Sequence, residues 1–371
     1  MSYRSMLRIL IKGILLATLV SLLFAWGPSA SRLGRISAYN RLFPGRPRLP
    51  YADNPERAYS LSLFNLEAMF ASHEIAARPK SKDEFRVLLI GDSSTWGYLL
   101  PPQATLSAQI NAAGLKLPDG RSLCSYNLGY PVMSLTKDLL ILSSAIQYEP
   151  DLIVWLVTLE SFPRDKQLFP PLVQNNSSRV RELIRAYDLN IDPDDTLLTD
   201  PSFLDRTLIG QRRLLADLLR LQLYGVLWAA TGIDQDIPES VPERMEDLPA
   251  DTSFHNLEAP LQTHDLSFDV LSAGIELAAG TPVLVINEPM FISQGQNSQF
   301  RYNFFYPRWA YDDYRQLLAE ERDRQGWSYR DLWDAVPADE FTNTAIHMTP
   351  TGTGLFAQLV LDTISDIISE P

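Results

Sequence analysis

The chain has 371 residues, 46% hydrophobic and 21% charged, an ordinary globular composition long enough for one large core or two modest ones. Its 32 basic and 45 acidic side chains leave a formal net charge of -13, which argues against nucleic acid as a partner because such binders carry a basic face. The single cysteine, Cys124, excludes an intramolecular disulfide and a multi-cysteine metal site, and the four histidines (His73, His255, His264, His347) lack the spacing of a helical zinc motif.

The amino terminus differs from everything after it. Residues 13–26 form an uncharged apolar run behind Arg4, Arg8 and Lys12. The run alone is shorter than the roughly 20 residues that span a bilayer, but residues 7–11 extend it because Arg8 and Lys12 can snorkel to the interface. Residues 1–30 are read as a transmembrane anchor, with a cleaved signal sequence as the alternative and residues 27–31 as a poor cleavage region. Basic residues ahead of the run favour a cytoplasmic amino terminus, whereas Arg32, Arg35, Arg41, Arg46 and Arg48 beyond it work against that orientation. Either reading exports the body of the protein, and the anchor makes it a single-pass cell-membrane protein with an extracytoplasmic domain.

Residues 31–82 read as a Pro- and Arg-containing stalk with a lead-in helix at 61–77. From 83 onward the pattern is that of an α/β domain. Strand candidates lie at 85–90, 123–128, 152–157 and 282–286, with a weaker one at 328–332. Helical patterns occupy 105–113, 134–148, 268–279, 309–325 and 352–368. Strands that alternate with helices pair in parallel through right-handed crossovers, which predicts a three-layer α/β/α domain. Glu149-Pro150-Asp151 marks a helix-to-strand break. The alternation fails over about 160–267, a helical insertion. Within it, residues 204–230 place Leu204, Leu208, Leu215, Leu219 and Leu223 on one helical face. That helix is either packed on the sheet domain, a lid, or a surface resting on the bilayer or a membrane partner. Residues 234–251 are rich in Asp, Glu and Pro and read as an exposed loop.

Chemistry concentrates in two distant fragments. Arg86-Val-Leu-Leu-Ile-Gly-Asp-Ser-Ser94 is a buried parallel strand that stops at Gly91, and ligands of open α/β sheets bind beyond such strand ends. Ser93 stands where a nucleophile is useful once a base removes its proton. His347, in Ala345-Ile-His347-Met-Thr-Pro350 and just ahead of the last helix, is the best base available. The other three histidines read as satisfied core or surface residues. Nothing in the chain calls for a cofactor.

These residues resemble the SGNH or GDSL hydrolases. Gly91-Asp92-Ser93 is similar to the first block of that family, with Ser93 matching the nucleophile. Asn127-Leu-Gly129 is similar to the second block, whose glycine N–H joins the oxyanion hole. Ile346-His347-Met-Thr-Pro350-Thr-Gly352 resembles the fifth, which carries the base. The likeness covers roughly 85–147 and 281–361, with 151–157 between. It implies a flavodoxin-like sheet and acyl-ester chemistry through an acyl-enzyme on Ser93. Two departures stand out. The third block normally brings an asparagine to the oxyanion, and here Thr158-Leu-Glu160 follows the strand, leaving Thr158 or a group from the insertion as substitute. The aspartate usually found three residues before the histidine is Thr344, preceded by Asn343, so a neutral partner or another acid must orient the imidazole.

Asn287 and Glu288 leave the fourth strand at its carboxyl end and should face the same crevice. Glu288 is either that other acid or a turn residue ahead of Pro289. Asp92, Asn287, Tyr302 and Trp309 are the candidate substrate-side groups, the two aromatics lying in a loop whose composition suits carbohydrate and ordinary packing equally. The leading expectation is an exported, membrane-tethered esterase or acyltransferase for O-acyl groups of cell-surface carbohydrate. It is similar to proteins that work beside a membrane-bound O-acyltransferase, in polysaccharide acetylation among other pathways. The alternatives are a catalytically weak binding or assembly subunit and a lipase-like carboxylesterase.

Overall fold

The computed structural model describes residues 2–27, 30–43, 45–51, 64–232 and 243–369. Five strands, β1 (Glu84–Ile90), β2 (Ser122–Asn127), β3 (Leu152–Val157), β4 (Val283–Asn287) and β5 (Ser328–Asp331), form one sheet in the order β2-β1-β3-β4-β5. Every neighbouring pair is parallel. The helices are α1 (Tyr3–Trp26), α2 (Ala38–Leu42), α3 (Leu66–Ser72), α4 (Leu106–Ala112), α5 (Leu135–Ala145), α6 (Ser177–Ala186), α7 (Arg212–Thr231), α8 (Phe268–Leu277), α9 (Arg308–Gln325) and α10 (Pro350–Ser369), with one-turn helices between some of them.

Side-chain alternation along the strands builds two cores. Leu88, Ile90, Ile153 and Trp155 point to the layer that holds α5, α8 and α9. Val87, Leu89, Val154 and Leu156 point to the layer of α4 and α10. Burial on both faces explains why β1 and β3 read as unbroken apolar runs. The predicted three-layer arrangement is therefore observed, and strand and helix bounds agree with the sequence pattern to within two or three residues.

Three features differ from expectation. The predicted stalk is packed against the domain in its described parts: Tyr39 and Leu49 are fully buried, and Arg48 donates to the Gly97 carbonyl at 2.7 Å. The lead-in helix is only α3; residues 61–63 of the predicted span lie outside the described residues, as do 234–242 of the predicted acidic loop and 28–29 of the cleavage region. Finally, the predicted helix 204–230 is two helices, Phe203–Arg206 and α7. Thr207 breaks it by folding its hydroxyl back to the Leu204 carbonyl at 2.7 Å and accepting from Gly210 N–H at 3.2 Å. The face α7 buries is Leu218, Leu221, Gly225 and Trp228, not the leucine stripe. Gly225 permits this contact, since a Cβ there would lie 2.4 Å from the Tyr39 ring.

Helix α8 packs directly on β3. A Cβ on Gly274 would lie 2.1 Å from Cζ3 of Trp155, whose indole is fully buried and donates to Asp138 at 3.2 Å. Gly274→Ala is expected to destabilise the chain by about 1–3 kcal/mol through overpacking. A denaturant midpoint equal to that of the wild type would refute this account of the contact.

Candidate active site

Parallel strands bring the segments that follow them to one edge of the sheet. Asp92 caps the turn after β1, its carboxylate accepting from Ser94 N–H at 2.8 Å, and Ser93 opens the one-turn helix Ser93–Trp96. The first N–H groups of a helix have no partner within it, and among the described residues nothing accepts the Ser93 N–H. The loop ahead of α10 carries His347. Its backbone is pinned by Thr342, whose N–H and hydroxyl donate to the His347 carbonyl at 2.8 and 3.0 Å, and by Thr344, whose hydroxyl accepts from His347 N–H at 3.2 Å.

The two fragments meet. His347 Nε2 lies 2.8 Å from Ser93 Oγ, and Nδ1 lies 3.0 Å from Asn343 Oδ1. A carbonyl oxygen facing Nδ1 places the ring proton there, leaving the Nε2 lone pair to accept from the serine hydroxyl. Tyr98 covers the imidazole with ring centroids 4.9 Å apart. Burial pushes the His347 pKa down to about 4, so the ring is a neutral base at ordinary pH. The partner of the base is thus Asn343. Thr344 holds the loop.

Beneath the serine lies a buried charged group that sequence reasoning missed. Lys137 of α5 is fully buried and donates to the carbonyls of Gly91 and Tyr130 at 2.7 and 2.8 Å, with Asp138 Oδ1 at 2.5 Å. Burial, opposed by Lys137, raises the Asp138 pKa to about 6. Asp92 and Glu288 face this group, both buried. Among the described residues no donor makes a well-formed hydrogen bond to Glu288, and the Ser94 hydroxyl nearby only partly favours its charged form. Burial first, and the Asp92 charge second, raise the Glu288 pKa well above the usual carboxylate range, so Glu288 keeps its proton and donates it toward Asp92. Burial also raises Asp92, while Lys137 and the Ser94 amide favour its charged form. The available signal for this group was Lys137-Asp138 inside an otherwise apolar helix.

The remaining candidates fall elsewhere. The Gly129 N–H donates to Asn127 Oδ1 at 3.0 Å, and Asn127 Nδ2 donates to Trp96 O, so this loop is locked against the Ser93 turn instead of presenting a free amide. A Cβ on Gly129 would lie 2.4 Å from Trp96 N, which explains the glycine. Thr158 is buried with its hydroxyl 2.8 Å from that of Tyr306. Asn287 is buried between the Tyr311 and Tyr314 hydroxyls and donates to Asp331 at 2.9 Å, a strand-to-helix tie and not a crevice group. Tyr302 is buried with its hydroxyl on Asp312, and Trp309 donates its indole N–H to Thr252 O at 2.8 Å. Both aromatics serve packing. His73 is buried and neutral, His255 pairs with Glu160 and Asp165, and His264 lies exposed beside Asp265. Among the described residues no three His, Cys, Asp or Glu side chains are grouped to hold a metal. A cavity of about 630 Å³ lined by Arg164, Tyr187, Gln262, Asp269 and Glu276 has neither Ser93 nor His347 in its wall.

The protonated Glu288 has a pH signature. An acid whose folded pKa is raised keeps its proton while the unfolded chain releases it above about pH 4.3, so folding is opposed more strongly as pH rises. Glu288→Gln has the same shape and supplies an N–H to Asp92. Its stability relative to wild type, measured by denaturant unfolding, is expected to rise between about pH 5 and 8. A difference that does not change with pH would mean Glu288 is ionised in the fold.

No family model and no curated protein matches the sequence. Among solved structures the chain is similar to a carbohydrate acetylesterase family member from Sinorhizobium meliloti (11% identity, TM-score 0.33, covering 76% of this chain and 98% of that one). It is also similar to a catalytic mutant of an acetylxylan esterase from Geobacillus stearothermophilus (10%, 0.36, 76% and 94%). A third is the aryl esterase of M. smegmatis (13%, 0.35, 76% and 98%). The five-stranded parallel sheet, the serine turn after β1 and the histidine ahead of the last helix have the α/β/α arrangement that the SGNH resemblance implies.

Proposed function

We propose that the chain is an exported, membrane-tethered serine esterase or acyltransferase acting on O-acyl, foremost O-acetyl, groups of cell-surface carbohydrate. The observation that carries the reading is the 2.8 Å contact between Ser93 Oγ and the Nε2 of a neutral, Asn343-oriented His347. In this mechanism Nε2 takes the hydroxyl proton as Oγ bonds to the ester carbonyl carbon. The Ser93 N–H stabilises the resulting oxyanion. The imidazolium then protonates the departing alkoxide, leaving an acyl-enzyme that water or a sugar hydroxyl cleaves by the same route in reverse. Water as acceptor makes an esterase, a sugar hydroxyl a transferase, and a membrane-bound O-acyltransferase would be a fitting source or recipient of the acyl group. The tether is α1, long and apolar enough to cross a bilayer and with none of its apolar window buried in the domain. Basic residues ahead of it favour an extracytoplasmic domain.

A second reading, a catalytically weak assembly subunit, draws on three specific features. Among the described residues His347 has no carboxylate partner, the Gly129 N–H is engaged by Asn127, and the Thr158 hydroxyl is engaged by Tyr306. Loss of one oxyanion donor alone can cost about 100- to 1000-fold in turnover.

The two readings separate in an assay of the purified chain on a chromogenic acetyl ester. Ser93→Ala is expected to lower kcat/KM by at least about a thousandfold. Equal slow hydrolysis by both proteins, with no labelling of Ser93 by a fluorophosphonate, would leave only the subunit reading. The pH profile carries a further expectation. Because burial holds His347 near a pKa of about 4, kcat/KM should fall off only as pH drops toward that value. Asn343→Asp supplies a carboxylate that stabilises the imidazolium and should move the acid limb upward. A wild-type limb near the ordinary histidine value of about 6.5, unmoved by the substitution, would contradict this environment for the base.

A further inference from the structure

The bare apolar face of α7 is left unused by the chemistry at Ser93. Leu219 and Leu223 are each 63% exposed and Leu227 55%, whereas the opposite face of the same helix is docked on Tyr39. Spacings of four and eight residues put these three side chains on one stripe. This stripe is joined to the end of α1. Trp26, the last residue of α1, meets Phe203 edge to face with centroids 6.4 Å apart, and the segment from there into α7 exposes Leu204 and Ile209 at 73% and 72%. The chain leaving α1 is tied to α7 again where Ala38 N–H donates to Gln222 Oε1 at 2.7 Å. The bare stripe therefore begins where the apolar helix stops.

The charges at its margin have the opposite sign to the protein. The chain carries -13, yet Arg206, Arg212 and Arg213, all exposed, lie beside this surface. The nearby acids are internally engaged, Asp205 accepting from the Ser202 hydroxyl at 2.6 Å in a capping box and Asp217 with Arg220 at 2.8 Å. Leucines flanked by arginines form the pattern of a helix lying in a membrane interface, with guanidinium groups at the phosphates and the apolar face in the acyl boundary.

We propose that α7 lies in the interface of the same bilayer that α1 crosses, as a second membrane contact that fixes how the α/β domain sits on the membrane. This rests on reading α1 as membrane-spanning. Lipid is the occupant the surface fits, because α1 confines the stripe to the bilayer surface at high effective concentration and the arginine margin matches lipid phosphates.

The test uses the full chain reconstituted in vesicles of phosphatidylcholine and phosphatidylglycerol, carrying one environment-sensitive NBD label in a Cys124→Ala background. The label is placed at Leu16→Cys within α1, at the exposed Leu223→Cys in α7, or at the exposed Gln358→Cys in α10, with matching thermal melts required of all three. Doxyl lipids with the quencher deep in the acyl chain should quench the label at 16, those with the quencher near the headgroup should quench the label at 223, and neither should quench the one at 358. Arg212→Glu with Arg213→Glu should reduce quenching at 223 and leave 16 unchanged. Quenching at 16 with 223 behaving like 358 overturns the proposal while leaving α1 in the membrane. A blue-shifted label at 223 that doxyl lipid does not quench also overturns it, since protein or a second copy then covers the stripe. If 16 is not quenched either, the membrane reading of α1 fails and the proposal falls with it.

Discussion

The buried ammonium of Lys137 is the constraint on which the site depends. A parallel sheet delivers the ends of β1 and β2 side by side, and the loops beyond them turn backbone carbonyls toward α5, that of Gly91 also accepting from Tyr130 N–H at 3.0 Å. Lys137 collects two of these, Gly91 and Tyr130, and so ties the turn that bears Ser93 to the loop of the second block. A buried charge is tolerated only when paired and hydrogen-bonded, and Asp138 supplies the counter-charge. The same cation favours the ionised form of Asp92, which caps the serine turn. Without it, Asp92, Asp138 and Glu288 would stand together in a dry environment with nothing positive among them. Glu288 meets that constraint by keeping its proton.

The Ser93–His347 pair above this foundation is set by dipoles instead of charges. Asn343 orients the imidazole through a carbonyl oxygen, which fixes the tautomer but gives an imidazolium less support than a carboxylate would. Burial under Tyr98 works in the same direction by favouring the neutral ring. The result is a base ready to accept a proton over a wide pH range and correspondingly weak in driving force, because a base of low pKa takes a proton less willingly. The second block adds rigidity, with Asn127 bridging Gly129 and Trp96.

The rest of the molecule is asymmetric in a way the site does not require. One layer of the sheet is covered by α4, α10 and the loop that carries His347, while the other carries α5, α8 and α9 with the insertion and the segment following α1. On that side the predicted stalk is a packed element, and α7 is held between Tyr39 inside and bare leucines outside. Apolar surface is thus left uncovered on the side of the domain from which the apolar helix α1 departs.

Local pattern alone determined the layered α/β architecture, the strand and helix positions, and Ser93 and His347 as the pair to watch. Period-two burial, the abrupt stop at Gly91 and the Pro-containing loop before the last helix are all written in short stretches of chain. Contacts between distant segments were decided only by tertiary structure. Ser93 and His347 are 254 positions apart, and nothing short of the folded sheet sets their distance or selects Asn343 as the third partner. Periodicity groups residues on a face but does not say what covers that face. The leucines of α7 therefore read as a packed, lid or bilayer face, and Leu219 and Leu223 are exposed; Tyr302 and Trp309 read as possible sugar platforms and are packing, and Asn287 reads as a crevice residue and ties strand to helix. Lys137 could be noticed as a charge in an apolar helix, but its meaning required the two carbonyls that folding places around it.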